Sequence, residues 1–193
     1  MKLRTFVFAA LAAAATATQA GDLSEPMILV AKPELVDPVF GSTVLVVAPI
    51  GGDQHAGFIV NRPSPFTVSQ VFPDDGPSQK VVQPVYQGGP LAPQAVFALV
   101  EGSKNPGGRS FRLMPGLYAA VDAETVDSII RTEPDHARFV AGLVVWQEGE
   151  LEAEVKRGLW YVLEPDARLA LRDPSQGLWE ELVRAANIRA NSI

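Results

Sequence analysis

The sequence predicts a single α+β domain, with several mostly antiparallel strands and three helices interleaved among them or packed to one side. Three observations carry that prediction. Short β-branched and apolar runs recur between glycine- and proline-rich turns, as strands do. Three other stretches combine helix caps with apolar residues on one face. No repeat, low-complexity tract or interdomain linker interrupts the 193 residues.

A segment of a different kind precedes the elements. Lys2 and Arg4 lead into an alanine-rich apolar run holding Phe6, Val7, Phe8 and Leu11, and small or polar residues follow from Thr16 to Ala20. Basic, then apolar, then small is the order of a secretory signal peptide, with cleavage expected after Ala20 and Ala17 as second choice. The run is too short to span a bilayer, which takes roughly 20 apolar residues. Residues 1–20 are therefore expected to be removed, and residues 21–193 to work as one domain in the periplasm or outside the cell.

Ile28–Ala31 reads as a short buried strand. Lys32 to Phe40 contains Pro33 and Pro38 and cannot be regular throughout. Thr43–Ala48 is a good strand, Gly51-Gly52-Asp53 makes a turn, and Ala56–Asn61 returns as the second arm of a hairpin. Arg62-Pro63-Ser64-Pro65 is expected to break the chain. Thr67–Phe72 follows as a short helical turn with Val68, Val71 and Phe72 inward. Val81–Tyr86 is extended, Gln87-Gly88-Gly89-Pro90 is a tight glycine turn, and Ala95–Val100 is a strand. Phe111–Leu113 and Leu117–Val121 are short strands around Pro115-Gly116.

Asp122 is a helix N-cap, and Val126, Ile129 and Ile130 share one face of the helix it opens. Phe139–Trp146 is the strongest strand. Gly149 begins a glutamate-rich helix ending near Gly158, and Leu159–Leu163 is again a strand. Asp173-Pro174 is expected to cap the last helix, whose apolar stripe is Leu178, Trp179, Leu182, Val183 and Ala186.

Composition narrows the function. The chain is 47% hydrophobic with a formal net charge of −6, and the leader holds two positive charges and no negative ones, so the mature chain is more acidic still. Such a chain lacks the basic footprint for phosphate backbones, which makes nucleic acid and anionic membrane surfaces unexpected partners. No second apolar run approaches membrane-spanning length, and no stable membrane insertion is expected. The absence of cysteine excludes disulfides, thiolate nucleophiles, zinc–thiolate sites and iron–sulfur clusters.

The residues that could carry chemistry are few. There is no Gly-x-Ser-x-Gly elbow. The two histidines, His55 and His136, lie in contexts that predict exposed loops and lack metal-ligand spacing. No metal site and no cofactor are expected. The alternating glutamates Glu148, Glu150, Glu152 and Glu154 fall around the start of a helix, where the dipole stabilises acidic groups and Glu152 reaches toward Lys156. Turn chemistry explains Gly51-Gly52, Gly88-Gly89 and Gly107-Gly108, although Gly88-Gly89 could also admit a ligand or partner close to the backbone. Arg62 is expected to pair with one of the chain's many acids, and could instead bind an anion.

Several of these segments, in order, resemble the AlgH/YqgE family. The opening strand Ile28-Leu29-Val30-Ala31 leads to Asp37-Pro38-Val39-Phe40. Gly57-Phe58-Ile59-Val60-Asn61-Arg62-Pro63 and Pro84-Val85-Tyr86-Gln87-Gly88-Gly89-Pro90 follow. Arg138-Phe139, Gly142, Trp146, Gly149-Glu150-Leu151-Glu152-Ala153-Glu154 and Trp160 complete the set. The resemblance implies a bifurcated, mostly antiparallel β-sheet curled into a pseudo-barrel with flanking helices. It covers nearly all of the mature chain. Three features depart from the family: the leader, since members are generally cytoplasmic; Glu150 where glutamine is usual; and the apolar Leu143-Val144-Val145 where a more polar, tyrosine-containing stretch is usual.

The family has no agreed activity, and its members are often labelled transcriptional regulators. Our first expectation is an exported, non-catalytic binding or interaction module with a protein or small-ligand partner in the cell envelope. Its family-motif positions for binding are Asn61, Arg62, Gly88, Gly89, Trp146 and Glu152, the first four forming a rigid docking rim. Two alternatives stand beside it: a transcriptional regulator, and a hydrolase using Asp37 or Glu152 with His55.

Overall fold

The computed structural model describes residues 23–73, 76–174 and 177–190. The expected leader and its cleavage point lie outside them. Among the described residues, ten strands form one curled sheet, a half-barrel. Its main path runs β10 (Trp160–Leu163), β1 (Met27–Ala31), β2 (Val44–Gly51), β3 (Gln54–Ile59), β9 (Ala137–Trp146), β6 (Leu91–Glu101), β8 (Leu117–Ala120), β7 (Ser110–Met114). β4 (Pro63–Thr67) pairs with β5 (Pro84–Gln87), and β5 lies parallel to β9 while the other pairings are antiparallel.

β9 is where the sheet divides. One edge pairs with β6 along most of its length, from Val100↔Ala137 to Leu91↔Leu143. The other edge serves two strands in turn: β5 at Val140 and Ala141, then β3 at Val144, Val145 and Trp146. The strand that carries the strongest apolar run in the sequence thus holds both branches: it is paired along both edges, and from Ala141 onward its side chains alternate between half-buried and buried.

Among the described residues, three apolar clusters cover the sheet. The short helix α4 (Arg168–Leu171) and the C-terminal α5 (Leu178–Ala190) place Ala170, Leu178, Leu182 and Val183 against Ile28, Val46, Phe58, Leu99 and Leu113. α1 (Val68–Val71) and α2 (Ala123–Thr132) pack Val68, Val126, Ile129 and Ile130 on Ala98, Ala120 and Phe139. α3 (Glu150–Lys156) lays Leu151 on Leu29, Leu45, Ile59, Trp146 and Trp160. Successive β1 residues enter different clusters, which is why that strand reads as an unbroken apolar run.

Most local readings hold. The Asp122 carboxylate accepts from the Thr125 N–H at 2.9 Å and caps α2. Gly149 opens α3 with φ 76°, a left-handed conformation that favours glycine.

Several expectations need correction. Residues 63–67 do not break the structure but form β4, where two prolines are tolerated because the strand pairs on one side only. Val71 is 38% exposed, since the four-residue α1 turns only Val68 fully inward. The last helix, expected to open at Asp173-Pro174, starts instead at Leu178. α4 was not anticipated, being one turn long and without periodicity. His55 is buried, at 5% exposure, because β3 starts at Gln54 and carries it into the sheet.

Candidate functional site

Two of the sequence motifs form one physical unit. The Asp37 carboxylate accepts from the Val39 and Phe40 N–H groups, each at 2.8 Å, and so folds residues 37–40 into a tight loop. From the link between β3 and β4, Arg62 reaches over this loop and donates to the carbonyls of Pro38 (3.1 Å), Val39 (2.6 Å) and Gly41 (2.7 Å). The expected acidic partner is thus replaced by three backbone acceptors, which the forked guanidinium suits and a carboxylate would duplicate. Asn61 accepts from the Val44 N–H (2.8 Å) and donates to the Ser42 carbonyl (2.9 Å), fastening the start of β2.

Gly88 and Gly89 lie in the fork itself. The Gly88 N–H donates to the Ala141 carbonyl and its own carbonyl accepts from the Ile59 N–H, both at 2.8 Å, so one residue bridges β9 and β3. The Gln87 N–H donates to the Arg62 carbonyl at 2.8 Å, tying the two motifs together. Neither glycine has a positive φ, so turn chemistry is not the reason for them. A Cβ on Gly88 would strike the Gly142 carbonyl oxygen and lie 3.0 Å from the Val140 Cβ. One on Gly89 would strike the Leu143 carbonyl and lie 2.7 Å from the Val144 N. Close backbone approach is the requirement, and the approaching backbone is the protein's own β9.

Beneath the fork lies a cation that sequence reading passed over as a functional residue. Arg138, 5% exposed, stacks on the Tyr86 ring with its guanidinium 4.1 Å from the centroid. It donates to the carbonyls of Val60 and, at 2.8 Å, Arg172. Burial pulls its pKa below the usual arginine value, against the opposing influence of Tyr86 and Asp173, and burial pushes the Tyr86 phenol up. A lone arginine opening the most apolar strand was the available signal.

The other two predicted positions stand elsewhere. Trp146 is at the far end of β9, 3% exposed. Its indole N–H donates to Glu154 at 3.0 Å, and the Trp160 indole donates to the same carboxylate oxygen at 2.8 Å. One glutamate thus holds α3 to both β9 and β10. Two tryptophans flanking an acidic helix, each needing an acceptor for its N–H, could have revealed this. Glu152 points to solvent and pairs with Lys156 at 2.7 Å, as its spacing predicts.

An open groove of about 920 Å³ runs between the ends of β6 and β10 and the α4–α5 segment. Leu163, Leu169 and Leu182 contribute its apolar surface, and the ion pairs Arg168–Asp166 and Arg172–Glu181 its charged wall. Hydrogen bonding from Arg168 holds the Asp166 carboxyl below the usual range. Among the described residues, no cluster of three or more histidines and carboxylates could hold a metal ion, and no helix is long and apolar enough to cross a membrane.

A curled sheet divided at one strand, with its fork locked by glycines and backbone clamps, defines the architecture to which known proteins can be compared. The solution structure of the AlgH protein from Pseudomonas aeruginosa superposes with a TM-score of 0.69 at 23% identity, covering 88% of this chain and 90% of that one. The crystal structure of DIP2367 from Corynebacterium diphtheriae gives 0.68 at 24% identity, covering 84% and 86%. The AlgH-like family model matches residues 28–191, and the chain belongs to that family. Relatives include a UPF0301 protein from Chlorobaculum tepidum, 29% identical over 82% of this chain and 84% of its own length. Another, from Streptomyces avermitilis, is 29% identical over 81% and 83%. The function of the family is uncharacterised.

Proposed function

We propose that this protein is an exported, non-catalytic binding or interaction module of the cell envelope. Export rests on the order of the first twenty residues. The non-catalytic reading rests on one observation: the groups a carboxylate-dependent hydrolase would use are each committed to local structure. Asp37 folds its own loop, Glu152 pairs with Lys156 in solvent, and His55 is buried against the Leu23 carbonyl. General acid–base catalysis needs such groups converging on one reacting atom. The acidic net charge weighs against the regulator reading. In this proposal Asn61, Arg62, Gly88 and Gly89 serve binding by fixing the shape of the rim, and the partner is a protein or a small ligand of the envelope.

The test has two parts. Intact mass of the protein from fractionated native cells should show a periplasmic species beginning at Gly21; a cytoplasmic species retaining Met1 would end the export reading. Affinity capture from the envelope fraction should then lose its partners with Arg62→Ala. Partners retained in full by that variant would remove the rim from the binding surface.

A further inference from the structure

The groove beside α4 differs from the fork in what its side chains have left to give. At the fork, Asn61 and Arg62 spend their polar groups on the protein's own backbone, and Gly88 and Gly89 spend their close approach on β9. In the groove, Leu163 and Leu169 are half-buried, each packing against the core and lining the trough with what remains. Four carboxylates, Glu101, Glu164, Asp166 and Glu181, and two guanidiniums, Arg168 and Arg172, stand around them, an excess of two negative charges. Both arginines are already held, by Asp166 and by Glu181. The exposed carboxylates of Glu101 and Glu164 enter no hydrogen bond or ion pair among the described residues. Arg168 is raised above the usual arginine value, by Asp166 foremost and by Glu101 to a lesser degree, so Glu101 belongs to the same charged wall.

We propose that this groove docks an extended peptide segment of a protein partner, one that alternates apolar and basic residues. The proposal rests on the binding-module reading and adds to it a surface and the partner's chemistry. Leucine-lined floor takes the apolar side chains, and Glu101 and Glu164 take the lysines or arginines between them. An acidic segment would meet the excess negative charge. A second copy of this chain, with its formal net charge of −6, is disfavoured for the same reason.

The shape of the site favours a chain segment over a compact molecule. The groove, of about 920 Å³, is open, and a recess of about 500 Å³ shares Glu101 with it. Arg112 and Tyr118 line that recess, so the surface extends from α4 toward β7 and β8. A small ligand would stay largely in water there, whereas an extended segment can follow the whole length. The wall is also fixed in advance. The Arg172 carbonyl accepts from the buried Arg138 at 2.8 Å while its guanidinium grips Glu181. Ala170 and Leu182 seat α4 and α5 on the core. A partner therefore meets a surface that needs little ordering.

The experiment titrates the full chain with an acetylated, amidated pentapeptide alternating leucine and lysine, read by amide NMR and by anisotropy of the labelled peptide. We expect saturable binding, weakened by salt, with shifts at Glu101 and residues 163–169 and none in α2. Glu101→Gln with Glu164→Gln should weaken it by about tenfold, since an exposed ion pair is worth at most about fivefold. Both side chains are exposed, so the variant's spectrum away from the groove should match the native one. The same peptide with glutamate for lysine should not bind, and serine for leucine should cost about tenfold. No saturable binding, equal binding of the glutamate peptide, or shifts centred on residues 37–41 and 61–62 would overturn the proposal. Groove amides that broaden with protein concentration alone would also overturn it, by giving the groove to a second copy. Envelope capture can fail while the peptide binds, and the reverse, so this inference and the binding-module reading fall separately.

Discussion

Replacing Gly89 by alanine should destabilise this protein more than almost any other single-methyl change. The added Cβ would fall inside the contact radius of the Leu143 carbonyl carbon and oxygen, and 2.7 Å from the Val144 N. Those are backbone atoms of β9, which is paired on both edges at this point, so no rotamer change relieves the overlap. Overpacking a core typically costs 1–3 kcal/mol, and clash with fixed backbone belongs at or above the top of that range. We expect about 3 kcal/mol or more, a large part of the 5–15 kcal/mol that holds a typical domain. Urea unfolding read by tryptophan fluorescence measures it, since Trp146 and Trp160 report on the neighbouring cluster. Gly76→Ala is the matched control, because a Cβ there meets nothing within 4 Å and its φ is not left-handed. It should fall within about 0.5 kcal/mol of the native chain. Equal midpoints for the two variants would refute the close-approach argument.

Three further predictions follow from the clamps. Glu154→Ala leaves two largely buried indole donors without their shared acceptor and should cost about 2–4 kcal/mol, with a changed tryptophan emission maximum. Arg62→Lys keeps the charge but cannot reach three carbonyls with a fixed fork. Amide exchange in residues 37–41 should accelerate while α2 is unaffected. Hydrogen bonds from Thr125, from its side chain first and its backbone N–H second, hold the Asp122 carboxyl below the usual aspartate range. A depressed carboxyl stabilises the fold above its unfolded pKa of about 4, and that contribution disappears as pH falls through the lower folded value. Asp122→Asn should therefore flatten the acid limb of the stability curve below about pH 4, and an unchanged limb would count against the cap.

The existence and type of nearly every strand and helix were legible in the sequence, because each is dictated within a few residues. Apolar runs between turns mark β1, β2 and β9, Asp122 with its following stripe marks α2, and Gly149 marks the entry to α3. The motifs at residues 37–40, 61–63 and 84–90 were equally visible, and they did converge on one place. What they do there was not visible. Whether Gly88 and Gly89 serve a turn or a crossing depends on which strand lies across them, and that strand is some fifty residues further along. Whether Arg62 meets a carboxylate or three carbonyls depends on where the loop at residues 37–41 lands. Burial of His55 and the shared acceptor of Trp146 and Trp160 likewise arise from pairings between distant segments. Local sequence chooses elements because backbone torsions, caps and side-chain period act over a few residues. The partners of a side chain are chosen by sheet order and register, and only the packed tertiary structure sets those.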